Sequence, residues 1–243
     1  MKLLFIFLSI TFTLFAKTYQ PVEYPSLDGL TISAHLYTDN NKSKPFILLF
    51  HQSSYSKGEY LEIAPKLTKI GFNVMAVDLR SGDMINFIEN ETSDRALDKN
   101  LDTGYISALP DIEASILYAQ KNLSTQKLIL WGSSYSSSLV LYIANKIKNI
   151  SAVLSFAPGE YYKKRGKHFI QEHVNHLTMP IFITSAKAEK ENWWHIYQAI
   201  PSVKKTFFLP KTEGVHGAKA LWENNPSHIS YWDAVIHFLE KQK

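Results

Sequence analysis

Ser134 lies at the centre of Gly132, Ser133, Ser134, Tyr135 and Ser136, a run of mostly small residues between an apolar stretch at 127–131 and a helix-length apolar stretch at 139–147. A strand that reverses into a helix within about one turn strains its central residue and leaves no room for bulky neighbours. Such a turn would hold the Ser134 hydroxyl clear of a sheet and aim a helix N-terminus at it. The Tyr135 N–H would then be placed to stabilise a developing oxyanion. The same serines would also serve as helix caps, so a nucleophile needs partners elsewhere in the chain. His216, between Gly214 and Gly217 and just before the closing helical region, stands where a general base is wanted.

A third group must orient that histidine, and the sequence offers three carboxylates. Glu189, in the loop after the apolar run 181–184, is preferred. Glu160, after the run 152–156, is the alternative, and Glu191 is a third choice. A carboxylate there would accept the Nδ1 proton of His216 and stabilise the imidazolium formed when Ser134 gives up its proton. The oxyanion also needs a second donor. Phe50 is followed by His51, Gln52, Ser53, Ser54 and Tyr55, and the Gln52 N–H is the expected donor, its side chain also lining the pocket. His51 is expected to brace this loop rather than titrate.

The elements that would carry these residues follow from the hydrophobic pattern. Two strand-like segments, 18–24 and 30–37, flank Asp28 and Gly29, a strong hairpin signal. Short, largely apolar runs then follow at 46–50, 72–77, 127–131, 152–156, 181–184 and 206–209, as strands buried on both faces require. Helix-length amphipathic stretches alternate with them near 59–70, 108–121, 135–148 and 193–199, and a last one spans 227–240. The pattern predicts an α/β sandwich with a mostly parallel central sheet opened by an antiparallel hairpin, its chemistry collected at the carboxyl ends of the strands.

With those residues in place, residues 17–243 resemble the α/β-hydrolase superfamily, and within it the dienelactone-hydrolase-like serine esterases. The resemblance rests on the Gly132, Ser134, Ser136 turn, the Gly214, His216, Gly217 loop, the His51, Gln52 loop, and the segment from Gly71 through Asp78 and Arg80 to Gly82. It implies the chain order nucleophile, acid, histidine. Three features depart from the family pattern: serine replaces the cysteine of true dienelactone hydrolases, glutamate replaces the usual aspartate, and Ser136 replaces the second glycine of the turn.

The 243 residues include no cysteine, which excludes a thiolate nucleophile and thiolate metal sites. The formal charge of +4 does not call for nucleic acid as a partner. Lys2 followed by a stretch without charge from Leu3 to Phe15, and then Ala16, reads as an export signal; it is shorter than the ~20 residues a spanning helix needs. A membrane contact is expected only if that segment is retained. Residues 17–243 are expected to form a single domain, with a long irregular connection at 80–107 and a short lid at about 159–179. The lid holds His168, Glu172, His173 and His176, whose spacing matches neither zinc-helix pattern, so no metal and no cofactor are expected. The expected activity is hydrolysis of carboxylic esters or thioesters of small molecules. The alternatives are a peptidase or amidase on the same residues and a catalytically silent binding protein on the same fold.

Overall fold

The computed structural model describes residues 19–123 and 127–243. The export segment expected at residues 1–16 lies outside the described residues. Among them, no helix is long and apolar enough to cross a membrane.

Strands β1 (Gln20–Pro25) and β2 (Thr31–Tyr37) form the expected hairpin, and β3 (Phe46–Phe50) starts the parallel part of the sheet. The chain continues through α1 (Ile63–Lys69), β4 (Asn73–Val77), α2 (Glu91–Asp98), α3 (Leu109–Tyr118), β5 (Leu128–Ser133), α4 (Tyr135–Ala144) and β6 (Ile150–Phe156). It ends with α5 (Phe169–Glu172), β7 (Ile181–Thr184), α6 (Lys190–Ala199), β8 (Lys205–Phe208) and α7 (His228–Glu240). The sheet order is β1-β2-β4-β3-β5-β6-β7-β8. β2 pairs antiparallel with β1 and β4, and all pairs from β4 to β8 are parallel.

The central strands are apolar on both faces because each face meets helices. In β5, Leu128 and Leu130 enter a layer with Ile112 of α3, Leu139 of α4, Ile170 of α5 and Trp193 of α6. Ile129 and Trp131 enter the opposite layer with Ile63 and Leu67 of α1 and Val235 and Leu239 of α7. Burying each such side chain stabilises the fold by roughly 1.5–3 kcal/mol. The register places Phe50 beside Gly132, Ser133 beside Phe156, and Phe156 beside Thr184. Four strand ends therefore open onto one edge of the sheet.

Three segments differ from the sequence pattern. The connection 80–107 contains a helix, α2, whose N-cap Asn90 accepts the Ser93 N–H at 2.9 Å, a contact that typically contributes about 1 kcal/mol. Helix α1 starts at Ile63 rather than near 59, because Lys57–Tyr60 forms a 3-10 turn with its residues buried. The segment 159–179, expected as a lid, has core contacts of its own: Tyr162 Oη donates to the Tyr135 carbonyl at 2.6 Å, and Ile170, Val174 and Leu177 are fully buried.

Candidate active site

Ser134 has φ 57° and ψ −123°, a strained conformation for a residue with a side chain. Packing imposes it. A Cβ on Gly132 would lie 2.5 Å from the Ser136 carbonyl oxygen and from the Ser137 backbone, so helix α4 starts against a residue that must be glycine. Ser136 is a serine rather than a second glycine for a definite reason. Its buried hydroxyl accepts the Ser133 N–H at 2.9 Å and lies 2.8 Å from the Phe50 carbonyl, joining the turn to the end of β3. Ser134 itself makes no side-chain cap bond to α4, so its hydroxyl is not used in capping.

That hydroxyl meets His216. The Ser134 Oγ to His216 Nε2 distance is 2.8 Å, and His216 Nδ1 is 2.5 Å from Glu189 Oε1. With the Nδ1 proton directed at Glu189, Nε2 is left to accept from the serine. Glu189 is oriented in turn by the Ala186 N–H at 3.1 Å, and its loop is tied to the histidine loop by the Lys187 N–H donating to the Glu213 carbonyl at 2.8 Å. Gly217 has φ +73°, and a Cβ there would lie 2.4 Å from Gln52 Oε1 and 2.7 Å from Ser133 Oγ. The histidine loop thus rests directly on the 51–55 loop and the serine turn.

The other candidate acids lie elsewhere. Glu160 accepts the Ile170 and Gln171 N–H groups at 2.8 and 2.9 Å, and its Oε1 lies 3.5 Å from His195 Nε2. Glu191 is exposed on α6. Of the lid residues weighed as metal ligands, His173 bonds the Phe169 carbonyl through Nδ1.

The expected role of the Gln52 N–H needs correction. It donates to Glu59 Oε2 at 2.8 Å, so it points down into a buried carboxylate rather than toward Ser134. Glu59 is fully buried and also accepts from Ser133 Oγ at 2.8 Å, while Ser133 Oγ accepts the Ala218 N–H at 2.8 Å. One carboxylate therefore holds the 51–55 loop and the serine turn directly, and the histidine loop through Ser133. Burial pushes Glu59 up to about 7, against the lowering effect of the hydrogen bonds from Gln52 and Ser133. Tyr135 opens α4, and its N–H, the first of the helix, has no helical carbonyl to take it.

His51 braces the loop from below. Its Nδ1–H donates to the Gln52 carbonyl at 2.7 Å and its Nε2 accepts the Leu79 N–H at 2.8 Å. Burial lowers its pKa to about 4, so the ring is neutral near pH 7. Beyond β4, Lys57 Nζ meets the buried Asp78 carboxylate at 2.6 Å. Arg80 bonds Asp111 of α3 and Asp28 of the β1–β2 turn, at 2.7 Å in each case, and so ties that turn to the helix. The Arg80 hydrogen bond holds Asp28 below the usual carboxylate range.

No protein-family model matches the chain, and no curated protein matches its sequence. Solved structures do match. The esterase Pf2001 of Pyrococcus furiosus is 16% identical, with a TM-score of 0.70 over 92% of each chain. Est1E of Butyrivibrio proteoclasticus, solved with ferulic acid bound, is 15% identical, with a TM-score of 0.68 over 88% of this chain and 96% of that one. A dienelactone hydrolase from Anabaena variabilis is 15% identical, with a TM-score of 0.69 over 92% of this chain and 99% of that one. With its eight-stranded, mostly parallel sheet opened by an antiparallel hairpin, the chain has the α/β-hydrolase fold.

Proposed function

We propose that the chain is a serine hydrolase that cleaves carboxylic esters or thioesters of small molecules through an acyl-enzyme. The observation that carries this reading is the unbroken hydrogen-bonded series Ser134, His216, Glu189, with the serine held at a strained turn. His216 Nε2 takes the hydroxyl proton as Ser134 Oγ bonds to the acyl carbon. Glu189 accepts from Nδ1 and stabilises the resulting imidazolium. The tetrahedral oxyanion is held by the Tyr135 N–H and, with Gln52 committed to Glu59, by the Ser53 N–H. His216 then returns its proton to the departing alcohol or thiol. In the second half-reaction it takes a proton from water as the acyl group leaves Ser134, and finally reprotonates the serine.

The ferulic acid bound to Est1E supports small-molecule esters in general as substrates. Export through residues 1–16 belongs to the same proposal, and a mature N-terminus at Lys17 would agree with it. The experiment is a panel of p-nitrophenyl esters of graded chain length beside aminoacyl anilides, run on the wild type and Ser134→Ala. Ester turnover that Ser134→Ala abolishes is the expected result; turnover of anilides alone points to a peptidase, and no turnover of either class favours the silent binding protein.

A further inference from the structure

Glu160, His168 and His195 come from three different elements: the loop after β6, the residue before α5, and α6. Each can supply one ligand atom, and these atoms all lie within 4.8 Å of one another. His168 and His195 are 27 positions apart in sequence, so the group is not a short motif; the fold assembles it.

Glu160 is a pre-positioned ligand. Its side chain is only 11% exposed, and the Ile170 and Gln171 N–H groups fix its carboxylate, leaving lone pairs on both oxygens. His195 Nε2 is buried with no hydrogen-bond partner, an unfavourable state for a ring nitrogen, and it lies 3.5 Å from Glu160 Oε1. Metal bonds of about 2.0–2.2 Å in a tetrahedral site put neighbouring ligand atoms about 3.4 Å apart, so this pair already has the spacing of two ligands on one ion. The His168 ring lies 5.9 Å from that of His195 at 78°. His168 is exposed, so its side chain has room to turn and close the remaining gap.

We propose that Glu160, His168 and His195 form a binding site for a divalent transition metal of the zinc class, which clamps the segment 159–179 to α6. Two imidazoles and one carboxylate suit Zn²⁺, Ni²⁺ or Cu²⁺ and disfavour Mg²⁺ and Ca²⁺, which take oxygen ligands. Three protein ligands leave a fourth position for water. The clamp joins the loop carrying Tyr161 to the helix that begins beside Glu189, so the ion would stiffen two walls of the candidate active site. It would not touch Ser134 chemistry. The competing reading is a plain ion pair between Glu160 and a protonated His195.

The test uses purified, chelator-stripped protein titrated with zinc chloride alone, with calorimetry giving stoichiometry and thermal unfolding giving the linked stabilisation. The expected result is one zinc per chain and a raised Tm with zinc but not with magnesium. His168→Ala should weaken zinc binding by more than about 10-fold and His195→Gln should do the same, while His176→Ala, an exposed histidine of the same segment, should leave it unchanged. Because His168 is exposed, its variant should fold normally without metal. Absence of zinc binding by the wild type, or binding that survives both His168→Ala and His195→Gln, would overturn the proposal in favour of the ion pair.

Discussion

The carboxylate of Glu59 receives the Gln52 N–H at 2.8 Å, so a buried acid holds the loop beside Ser134 from beneath. With the pKa of Glu59 raised to about 7 in the folded protein, between roughly pH 4.5 and pH 7 the native state binds a proton that the unfolded chain has released. Stability from this group is therefore full at low pH and falls as pH rises toward 7, by on the order of 3 kcal/mol. Urea unfolding of the wild type and Glu59→Gln across that range should show the difference moving in favour of the variant as pH rises. A difference that stays flat would contradict a buried carboxyl of raised pKa.

Ser136 should be intolerant of losing its hydroxyl, although the position is usually glycine in this fold. Ser136→Ala leaves the buried Ser133 N–H without its acceptor, and the expected cost is about 1–3 kcal/mol in denaturant unfolding. A neutral substitution would mean that the hydroxyl does not join the turn to β3.

Gly217→Ala tests the stacking of the three loops. The added Cβ meets Gln52 Oε1 and Ser133 Oγ well inside contact distance, at a backbone conformation that alanine resists. Destabilisation of about 1–3 kcal/mol is expected, with ester turnover reduced further than stability alone explains because the Ala218 N–H is pushed off Ser133. Unchanged turnover would contradict the packing of the histidine loop on Gln52.

The strands were the most legible part of the fold in the sequence. Largely apolar runs mark β3 and β7 to the residue, since a strand covered on both faces has no polar side to blur its ends. Helix α2 was hidden because its buried residues are Thr92, Ser93 and Ala96, which make no apolar stripe; its signal was the Asn90 cap. At the site, Ser134, His216 and Glu189 could be picked out because each follows a strand or a glycine-flanked loop, and the fold brings them within hydrogen-bond reach. Glu59 gave no such sign. In sequence it reads as a surface acid at a helix start, and it is held by Gln52, seven positions away in the same connection, and by Ser133, which is remote along the chain. Without Glu59 in view, nothing in the sequence marks the Gln52 N–H as already engaged. The approach of His168 to His195 is likewise set by tertiary packing alone.

The central claim is that Ser134 is a nucleophile activated by His216. Treating the folded protein with a fluorophosphonate and locating the adduct by mass spectrometry tests it most directly. The account predicts one adduct, on Ser134, that is absent in Ser134→Ala and strongly slowed in His216→Ala. A folded wild-type chain that takes no label, or a label that persists in Ser134→Ala, would contradict it.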